Sequence, residues 1–568
     1  MNIPAVLLLL VLMPIVSFAP GFVLVRRMRR WSPLERFAAS IAASIVLVYL
    51  VAFLIYNTLV PWRLAWIYTG VAAAALAIAW QDVRRLFGVP QVRRVALLFG
   101  ALFAWNLLML AIVRHYVGAF WGPDWFEHYE RSLHFVDRGP DLYRFLGLYL
   151  LPARPPLMNL FSAFFLAQVG KDFVNYQLTF AFLNLLPFVG LALVLPLMMR
   201  RGRRAMGLLA ALLACNPMFM QNAQFAWTKS AIGFFVAVAI WFYVVGWRRN
   251  DPVRLSLAFL SLSAGVLVHY SGAPYLVVFG LHYLVWVLPH RRWAIRKTLV
   301  AVLPGAMLLL TWFGYSLSAY GAAETFIGNT AVSEAKGLTP VGNVAKIAMN
   351  IVDTAVPHPV RGYWIDRTDD PFRSVVDNAF QLYQSNLFLV FGLAGCVLVP
   401  LLFVRCLRQW SGGAPPRERT FWMVLVAVGV TLSLAVIGPR DHYGVAHIGM
   451  QPIVQLGLAL LAVGLPSVSQ RLRRVLIAGL AVDVALGIAA HLYLEGSVEE
   501  WAADYNLEVK NANGLVFLGD WMTPLAGLLQ ASVWALFVVL LARTYRMLQT
   551  RPLAVTGATS ENSGPFVS

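Results

Sequence analysis

Residues 121–131 read WGPDWFEHYER, and residues 154–157 read RPPL. The first stretch places three carboxylates, an imidazole and a guanidinium among aromatic rings, in a chain that otherwise keeps charged residues out of its long apolar runs. Charge beside apolar sequence is costly unless it is paired or functional. The position of this polar stretch relative to the apolar runs therefore decides both the fold and the search for a functional site.

The composition is that of a membrane protein. The 568 residues are 60% hydrophobic and only 12% charged, and the mean hydropathy of +0.70 is far above that of a soluble globular protein. The first apolar run, residues 4–25, is long enough to span a bilayer and is followed by arginines, with no small-residue cleavage site. We interpret it as a retained transmembrane helix and not as a secretory signal.

Several classes of function are disfavoured. The net charge of +19 does not indicate nucleic-acid binding, because the arginines form short clusters between apolar runs, where they orient a membrane protein. Cys215, Cys396 and Cys406 lack metal-ligand spacing and are assigned to packing. The sequence has no glycine-rich phosphate loop, Walker lysine motif, CxxC pair or HExxH motif, which argues against a nucleotide-driven pump, a dithiol oxidoreductase and a zinc protease.

Apolar runs of membrane-spanning length predict an all-α polytopic protein with about fifteen transmembrane helices. The runs lie near residues 3–25, 37–60, 63–80, 95–113, 175–199, 205–220, 230–247, 254–270, 272–288, 298–318, 386–405, 420–438, 446–465, 474–494 and 525–543. With the N-terminus outside, the arginine clusters all fall on one side, which the positive-inside rule identifies as the cytoplasm. The outer side then carries three large loops, at 114–174, 319–385 and 495–524.

Residues 156–169 are a test of this topology. The segment is apolar but only about fourteen residues long, and counting it as a span would place the later arginine clusters on the wrong side. We expect an interfacial or re-entrant helix there. The C-terminal tail, residues 552–568, contains many small and polar residues and is expected to be cytoplasmic and disordered.

The first outer loop carries the candidate catalytic residues. If residues 124–135 are helical, four polar side chains share one face: Asp124, Glu127, His128 and Arg131. A partly desolvated carboxylate beside a cation can act as a general base. We predict Asp124 as that base with Glu127 in reserve, and His128 and Arg131 as substrate-binding residues; a structural hydrogen-bonded network explains His128 equally well.

These motifs resemble those of a known superfamily. Pro123-Asp124 with Tyr129 after it, and Arg154-Pro155-Pro156-Leu157 at the start of a short helix, look like the GT-C superfamily of polyprenyl-phosphate-sugar-dependent glycosyltransferases. The most similar branches are the protein O-mannosyltransferases and the lipid A aminoarabinose transferases. In those families a carboxylate after the first core helix is the catalytic base, and a Lys/Arg/His-Pro-Pro-Leu stretch begins a juxtamembrane helix. The resemblance implies these roles for Asp124 and for residues 154–157.

The resemblance covers residues 95–290 and includes Asn216-Pro217 and Thr228-Lys229. It departs from the family in two ways: the usual adjacent Asp-Glu pair is replaced by Asp124 and Glu127, and three additional helices precede the core, which begins near residue 95. The resulting division of the chain is residues 1–94 as additional N-terminal transmembrane helices, 95–318 as a GT-C-like core, 319–385 as an outer loop, and 386–551 as C-terminal transmembrane helices.

Further polar residues at the outer membrane edge are candidate substrate-binding residues: Arg154, Lys229, His269, Tyr270, Arg440 and His442. Cationic side chains at this depth suit a lipid phosphate. The alternatives are snorkelling of Lys229 to the interface, a capping role of His269, and a local ion pair between Arg440 and Asp441.

The loop 319–385 contains His358 and Arg361 among aromatic residues and mixed charges. Such a composition suits stacking on sugar rings and hydrogen bonding to hydroxyls, and we predict that this loop covers the site and selects the acceptor. The alternative is that it packs on the first outer loop.

The predicted activity is inverting transfer of a sugar from a polyprenyl phosphate carrier to a lipid, glycan or protein acceptor. The predicted location is the periplasmic face of a bacterial inner membrane, with the C-terminus in the cytoplasm. We expect no cofactor and no obligatory metal, although the acidic outer loops leave room for one. Two alternatives stay open: a glycan polymerase or ligase that uses polyprenyl diphosphate-linked chains, with its chemistry on a later loop, and a transporter or lipid flippase, whose polar residues should reach the cytoplasm.

Overall fold

The computed structural model describes residues 2–58, 60–116, 124–198, 203–290, 294–326, 328, 341–342, 344–345, 399–405, 407–408, 419–427, 446–494 and 504–549. Within these ranges the chain is helical, and β structure is limited there to an isolated bridge between Phe145 and Tyr149. The predicted all-α fold class is confirmed. Most of the loop 319–385 and the whole tail 552–568 lie outside the described residues.

Six helices precede the first predicted outer loop: α1 (Ile3–Val16), α2 (Ala19–Val25), α3 (Pro33–Thr58), α4 (Arg63–Ile78), α5 (Trp80–Gly88) and α6 (Pro90–Leu110). Local sequence explains two of their starts. The Asn2 side chain caps α1 by accepting a hydrogen bond from Ala5 N at 3.2 Å. Ser32 and Glu35 form a reciprocal capping box at the start of α3, each side chain accepting from the other residue's backbone N–H.

Eight helices follow: α7 (Asp124–Asp137), α8 (Leu157–Val169), α9 (Phe173–Leu185), α10 (Pro187–Met198), α11 (Arg203–Ala214), α12 (Pro217–Gln224), α13 (Ile232–Arg248) and α14 (Pro252–Val268). The short helix expected at 156–169 is present as α8. Its 13 residues are too few to cross a bilayer, and most of its side chains are buried against α3, α7 and α9. This helix is therefore enclosed by other helices, and it does not lie exposed on the surface.

The remaining helices begin with α15 (Ala273–His282), which continues through a π-helical segment, Tyr283–Val287, into α16 (Leu288–His290). They continue with α17 (Ile295–Phe326), α18 (Ala446–Gly464), α19 (Gln470–Leu494), α20 (Asp504–Ala512), α21 (Leu518–Trp521) and α22 (Ala526–Gln549). The helices α13, α14 and α17 pack side by side, and α10 and α18 pack on the other side of α13.

The described ranges contain 7 spans that are long and apolar enough to cross a membrane: Ile3–Val25, Pro33–Thr58, Pro90–Leu110, Phe173–Met198, Tyr270–His290, Ile295–Phe326 and Thr523–Gln549. An eighth results if α4 and α5, which meet at 69°, form one bent span. The chain is a polytopic membrane protein. The total of about fifteen helices and the proposed domain boundaries stay predictions.

The two ends of α13 carry different polar clusters. Lys229 and Asp124 lie near its first residue. Beyond its last residue, buried Arg254 donates from Nε to Glu35 Oε1 at 2.9 Å and from Nη1 to Asp251 Oδ2 at 2.6 Å. This second cluster joins α14 to the start of α3 at the end of the helices away from α7.

The close packing of α2 on α3 depends on Gly21. Its backbone N–H donates to Ser44 Oγ at 2.8 Å, and a Cβ atom on Gly21 would lie 2.8 Å from Ser44 N. Small residues permit this close approach of two helices in a membrane.

Gly21→Ala is expected to lower the free energy of unfolding by about 1–3 kcal/mol, because the new methyl group collides with the α3 backbone. Gly70→Ala, in α4, is the matched control: among the described residues no atom lies within 4 Å of its added Cβ, and alanine favours a helix over glycine. Thermal unfolding in detergent should show a lower Tm for Gly21→Ala only. Equal Tm values for the two variants would contradict the close packing.

Candidate active site

The polar face predicted for residues 124–135 is present on α7, which begins at Asp124. The side chains of Glu127, His128 and Arg131 are buried, and the Asp124 side chain is 23% exposed. The helix packs on α8, and the turn that precedes α8 contributes Arg154. Trp121, Gly122 and Pro123 lie outside the described residues.

Two guanidinium groups hold the Glu127 carboxylate. Arg131 donates from Nε to Glu127 Oε1 at 2.9 Å, and Arg154 Nη2 lies 3.2 Å from Glu127 Oε2. Arg131 is itself fixed, because it also donates to the backbone oxygens of Leu151 at 2.8 Å and Leu150 at 3.1 Å. Burial alone raises the pKa of Glu127, but the positive charges of Arg154 and Arg131 lower it to about 2. Glu127 is therefore ionised at neutral pH, and both of its oxygens are paired with arginine.

Asp124 is held more loosely than Glu127. Its Oδ1 lies 3.6 Å from Arg154 Nη2, and its Oδ2 lies 3.9 Å from Lys229 Nζ. Burial raises the pKa of this carboxyl group, while Arg154 and Lys229 partly counteract the rise. Long contacts and partial exposure leave the Asp124 oxygens available to another molecule, which favours Asp124 over Glu127 as the candidate base.

Lys229 belongs to the same cluster and does not reach out to solvent. Its side chain is only 4% exposed, and its Nζ lies 3.5 Å from the centroid of the Trp227 ring, a cation–π contact. Burial lowers the pKa of Lys229 to about 7, with Asp124 opposing the shift. Lys229 therefore changes between its protonated and its neutral form near neutral pH.

His128 faces the interior of the protein. The ring is buried, its nearest ring neighbour is Phe180, and its Nδ1 has no hydrogen-bond partner within the described residues. Burial lowers the pKa of His128 to about 3. A neutral imidazole in this position does not supply a positive charge, so its predicted role in substrate binding finds no support in the geometry and stays untested.

The turn between α14 and α15 reaches the site through Tyr270. The Tyr270 hydroxyl donates to Pro152 O at 2.7 Å, two residues before Arg154, and so fixes the segment that carries this arginine. His269 accepts from Ser271 N at 3.1 Å and thereby caps the turn. The capping alternative for His269 accounts for this contact.

Four predicted substrate-binding residues lie outside the described residues. They are His358, Arg361, Arg440 and His442. Their roles stay predictions, and the expected meeting of Asp124, His269 and Arg440 in one cavity is likewise untested.

Residues from the third predicted outer loop pack directly behind α7, which the sequence did not suggest. The ring of Phe517 lies 5.5 Å from that of Trp125 and 4.9 Å from that of Tyr116, and Leu518 N donates to Gln177 Oε1 at 3.2 Å. Lys510 pairs with Asp520 at 2.9 Å and donates to Arg114 O. We call residues 510–520 the C-terminal strap. No local motif marks it, because its partners are hundreds of positions away along the chain.

In the part of the chain that the structure describes, no three His, Cys, Asp or Glu residues are placed to hold a metal ion. The two carboxylates of the site instead face three cationic side chains, Arg131, Arg154 and Lys229. This arrangement has a surplus of positive charge when Lys229 is protonated, which suits an anionic ligand.

Comparisons with known proteins give a match only among solved structures. No family model and no curated protein matches the sequence. Two crystal structures of ArnT from Cupriavidus metallidurans, one bound to undecaprenyl phosphate and one in the apo state, each share 16% identity with the chain at a TM-score of 0.46, covering 80% of this chain and 75% of that one. The chain is similar to ArnT.

The two carboxylates are expected to differ in their effect on stability. Glu127→Gln should lower the free energy of unfolding by about 3–5 kcal/mol, because it leaves Arg131 buried without its counter-charge. Asp124→Asn should change it by less than about 1 kcal/mol, since burial already disfavours the charged form. Thermal unfolding in detergent at pH 7 measures both.

The pH dependence provides a second check on Glu127. Its pKa lies below that of an unfolded glutamate, so its stabilising contribution is complete above the unfolded pKa and is lost as the pH falls towards about 2. The Tm difference between wild type and Glu127→Gln should therefore narrow on acidification. A constant difference, or equal losses in the two variants at pH 7, would contradict the distinction between Asp124 and Glu127.

Proposed function

We propose that the chain is an inverting membrane glycosyltransferase that moves a sugar from a polyprenyl phosphate carrier to an acceptor at the periplasmic face of a bacterial inner membrane. The observation that carries the proposal is the environment of Asp124, a partly exposed carboxylate between Arg154 and Lys229. Glu127, in contrast, is paired with two arginines through both of its oxygens. The motifs of residues 95–290 support the same class of enzyme.

Asp124 acts as the general base in this proposal. Its carboxylate accepts the proton of an acceptor hydroxyl while that oxygen attacks the anomeric carbon of the donor sugar, and the bond from this carbon to the phosphate oxygen breaks. The raised pKa of Asp124 improves its match to the hydroxyl proton at neutral pH. Attack opposite the leaving phosphate inverts the anomeric configuration.

Arg154 and Lys229 stabilise the departing phosphate. Arg154 keeps further N–H donors after it has contacted Asp124 and Glu127, because a guanidinium has five, and Lys229 adds an ammonium charge. Donors placed where negative charge develops lower the barrier most in a site that excludes water. The leaving group is already a lipid phosphate, so the reaction requires no nucleotide.

Asp124→Asn is expected to reduce sugar transfer by about 10²–10⁴-fold, because the base is lost while the shape of the site is kept. The assay supplies the purified chain, in liposomes, with undecaprenyl phosphate that carries a labelled hexose or pentose, and with lipid, glycan and peptide acceptors. Asp137→Asn is the control: Asp137 lies on the same helix, is exposed, and pairs with Lys171. It should retain wild-type activity.

Two outcomes decide against parts of the proposal. Full activity in Asp124→Asn removes Asp124 as the base, and the absence of transfer from every polyprenyl phosphate sugar rules out the class. Transfer that depends on diphosphate-linked chains, and that is more sensitive to substitutions at 357–373 than to Asp124→Asn, points to the polymerase or ligase alternative.

Raising the pH through about 7 is expected to weaken the binding of undecaprenyl phosphate to the wild type relative to Lys229→Arg, because Lys229 loses its proton there. The sign follows from burial: the pKa of Lys229 is lowered, so its charge is present only below that value. Lys229→Arg keeps a positive charge at all these pH values, so its pH dependence reports only the second ionisation of the phosphate monoester, whose pKa is about 6. A ratio of the two affinities that stays constant between pH 6 and pH 8 would contradict the role of Lys229.

A further inference from the structure

The segment that carries Lys229 is an irregular stretch of backbone enclosed by helices. We call residues 225–231, between α12 and α13, the lysine loop. Ala226 has a φ of 57°, in the left-handed region that side chains other than glycine disfavour. Such a conformation persists only where its surroundings enforce it. Buried side chains of α9 contact this loop.

One buried carboxamide bonds the backbone of the lysine loop on both sides of Lys229. Asn184, in α9, donates from Nδ2 to Trp227 O at 2.5 Å and to Asn222 O at 3.0 Å. Its Oδ1 accepts from Ala231 N at 3.1 Å, and its backbone oxygen accepts from Ser230 Oγ at 2.9 Å. Asn184 therefore contacts residues on both sides of Lys229, and its side chain is fully buried.

A second contact links the same loop to the start of α7. The Tyr176 hydroxyl, also in α9, lies 3.1 Å from Trp125 O and 3.4 Å from Ala226 O. The helix α9 thus touches both segments that carry the reacting groups. However, Tyr176 contacts the loop at Ala226 and Gln455 contacts it at Ser230. The Asn184 carboxamide bonds the loop backbone on both sides of Lys229, at Trp227 and Ala231.

We propose that Asn184 is a positioning residue of the active site: its carboxamide fixes the lysine loop so that the Lys229 ammonium stays beside Asp124. The catalytic importance of this position of Lys229 rests on the proposed function, whereas the positioning itself rests only on the hydrogen bonds. Asn184 does not touch the reacting atoms. It acts through the backbone on either side of Lys229.

The charges that act on Lys229 come from the elements around it. They are Asp124 and Glu127 on α7 and Arg154 before α8, and the Trp227 ring covers the ammonium. Since burial is the main reason for the lowered pKa of Lys229, a looser loop admits water and raises that pKa towards the ordinary lysine range. This provides a readout that a general loss of stability does not produce.

The first experiment requires no ligand. The purified full-length chain in detergent is treated with acetic anhydride at a series of pH values, and acetylation of Lys229 is followed by mass spectrometry. In the wild type, labelling should rise around pH 7, the pKa of Lys229 being about 7. In Asn184→Ala the pH midpoint of Lys229 labelling should move up by about one unit or more. One unit corresponds to a tenfold change in the protonation equilibrium of Lys229.

Thr179→Val is the matched control. Thr179 is equally buried in α9, but its hydroxyl bonds within its own helix, to Asn175 O at 2.8 Å. The control removes a buried polar group without touching the lysine loop, so its midpoint should stay at the wild-type value. Midpoints that agree between Asn184→Ala and Thr179→Val would overturn the inference, whatever their Tm values.

If Asn184→Ala does not fold, Asn184→Leu carries the test, because leucine has the same branched shape as asparagine and removes the carboxamide hydrogen bonds to Trp227 O and Ala231 N. Its labelling midpoint should also move up. An unchanged midpoint in Asn184→Leu would then decide against the inference.

The second experiment measures binding of undecaprenyl phosphate at pH 6. Asn184→Ala should bind undecaprenyl phosphate about tenfold more weakly than the wild type, which corresponds to the loss of one charge-assisted contact. The double variant Asn184→Ala, Lys229→Met should bind it no more weakly than Lys229→Met alone. Additive losses in the double variant would contradict action through Lys229. If the wild type does not bind undecaprenyl phosphate at all, the proposed function fails, and the labelling midpoints still decide the role of Asn184.

Discussion

The site depends on the burial of carboxylates, which is complete for Glu127 and partial for Asp124. An isolated carboxylate in an apolar interior is so unfavourable that it becomes protonated unless cations are placed against it. Here Arg131 and Arg154 contact Glu127, and Arg154 and Lys229 flank Asp124. Each cation needs its own support, which the backbone oxygens of residues 150–151 supply to Arg131. The ion pairs of Glu127 and Asp124 join α7 to the turn before α8 and to the lysine loop.

Helical periodicity is sufficient to predict the central part of this site. Residues at spacings of three and four share a helix face, and this spacing alone groups Asp124, Glu127 and Arg131. The short length of the apolar run after Arg154 is likewise sufficient to predict a helix that does not span. Both inferences use information within about one helix length of sequence, where pattern reasoning is most reliable.

The supporting contacts are not predictable, because they join residues that are far apart in sequence. Nothing near Asn184 in the sequence signals that it holds a loop some forty positions later, and Phe517 lies nearly four hundred positions from its partner Trp125. The roles of the two carboxylates also require the structure, since identical spacing gives no information about burial. His128 shows the same limit: its position on the polar face did not indicate that its ring is buried and that its pKa is lowered, and its predicted role in substrate binding stays a prediction.

The C-terminal strap has a consequence for how the protein is made. Its Phe517 ring covers Trp125, and its Lys510 reaches Arg114, at the two ends of the segment that leads into α7. During synthesis the N-terminal helices emerge and insert first. The contacts of α7 with the C-terminal strap can therefore form only after residues 510–520 have left the ribosome. A nascent chain therefore lacks the packing behind α7 until nearly four hundred residues beyond Trp125 have been synthesised.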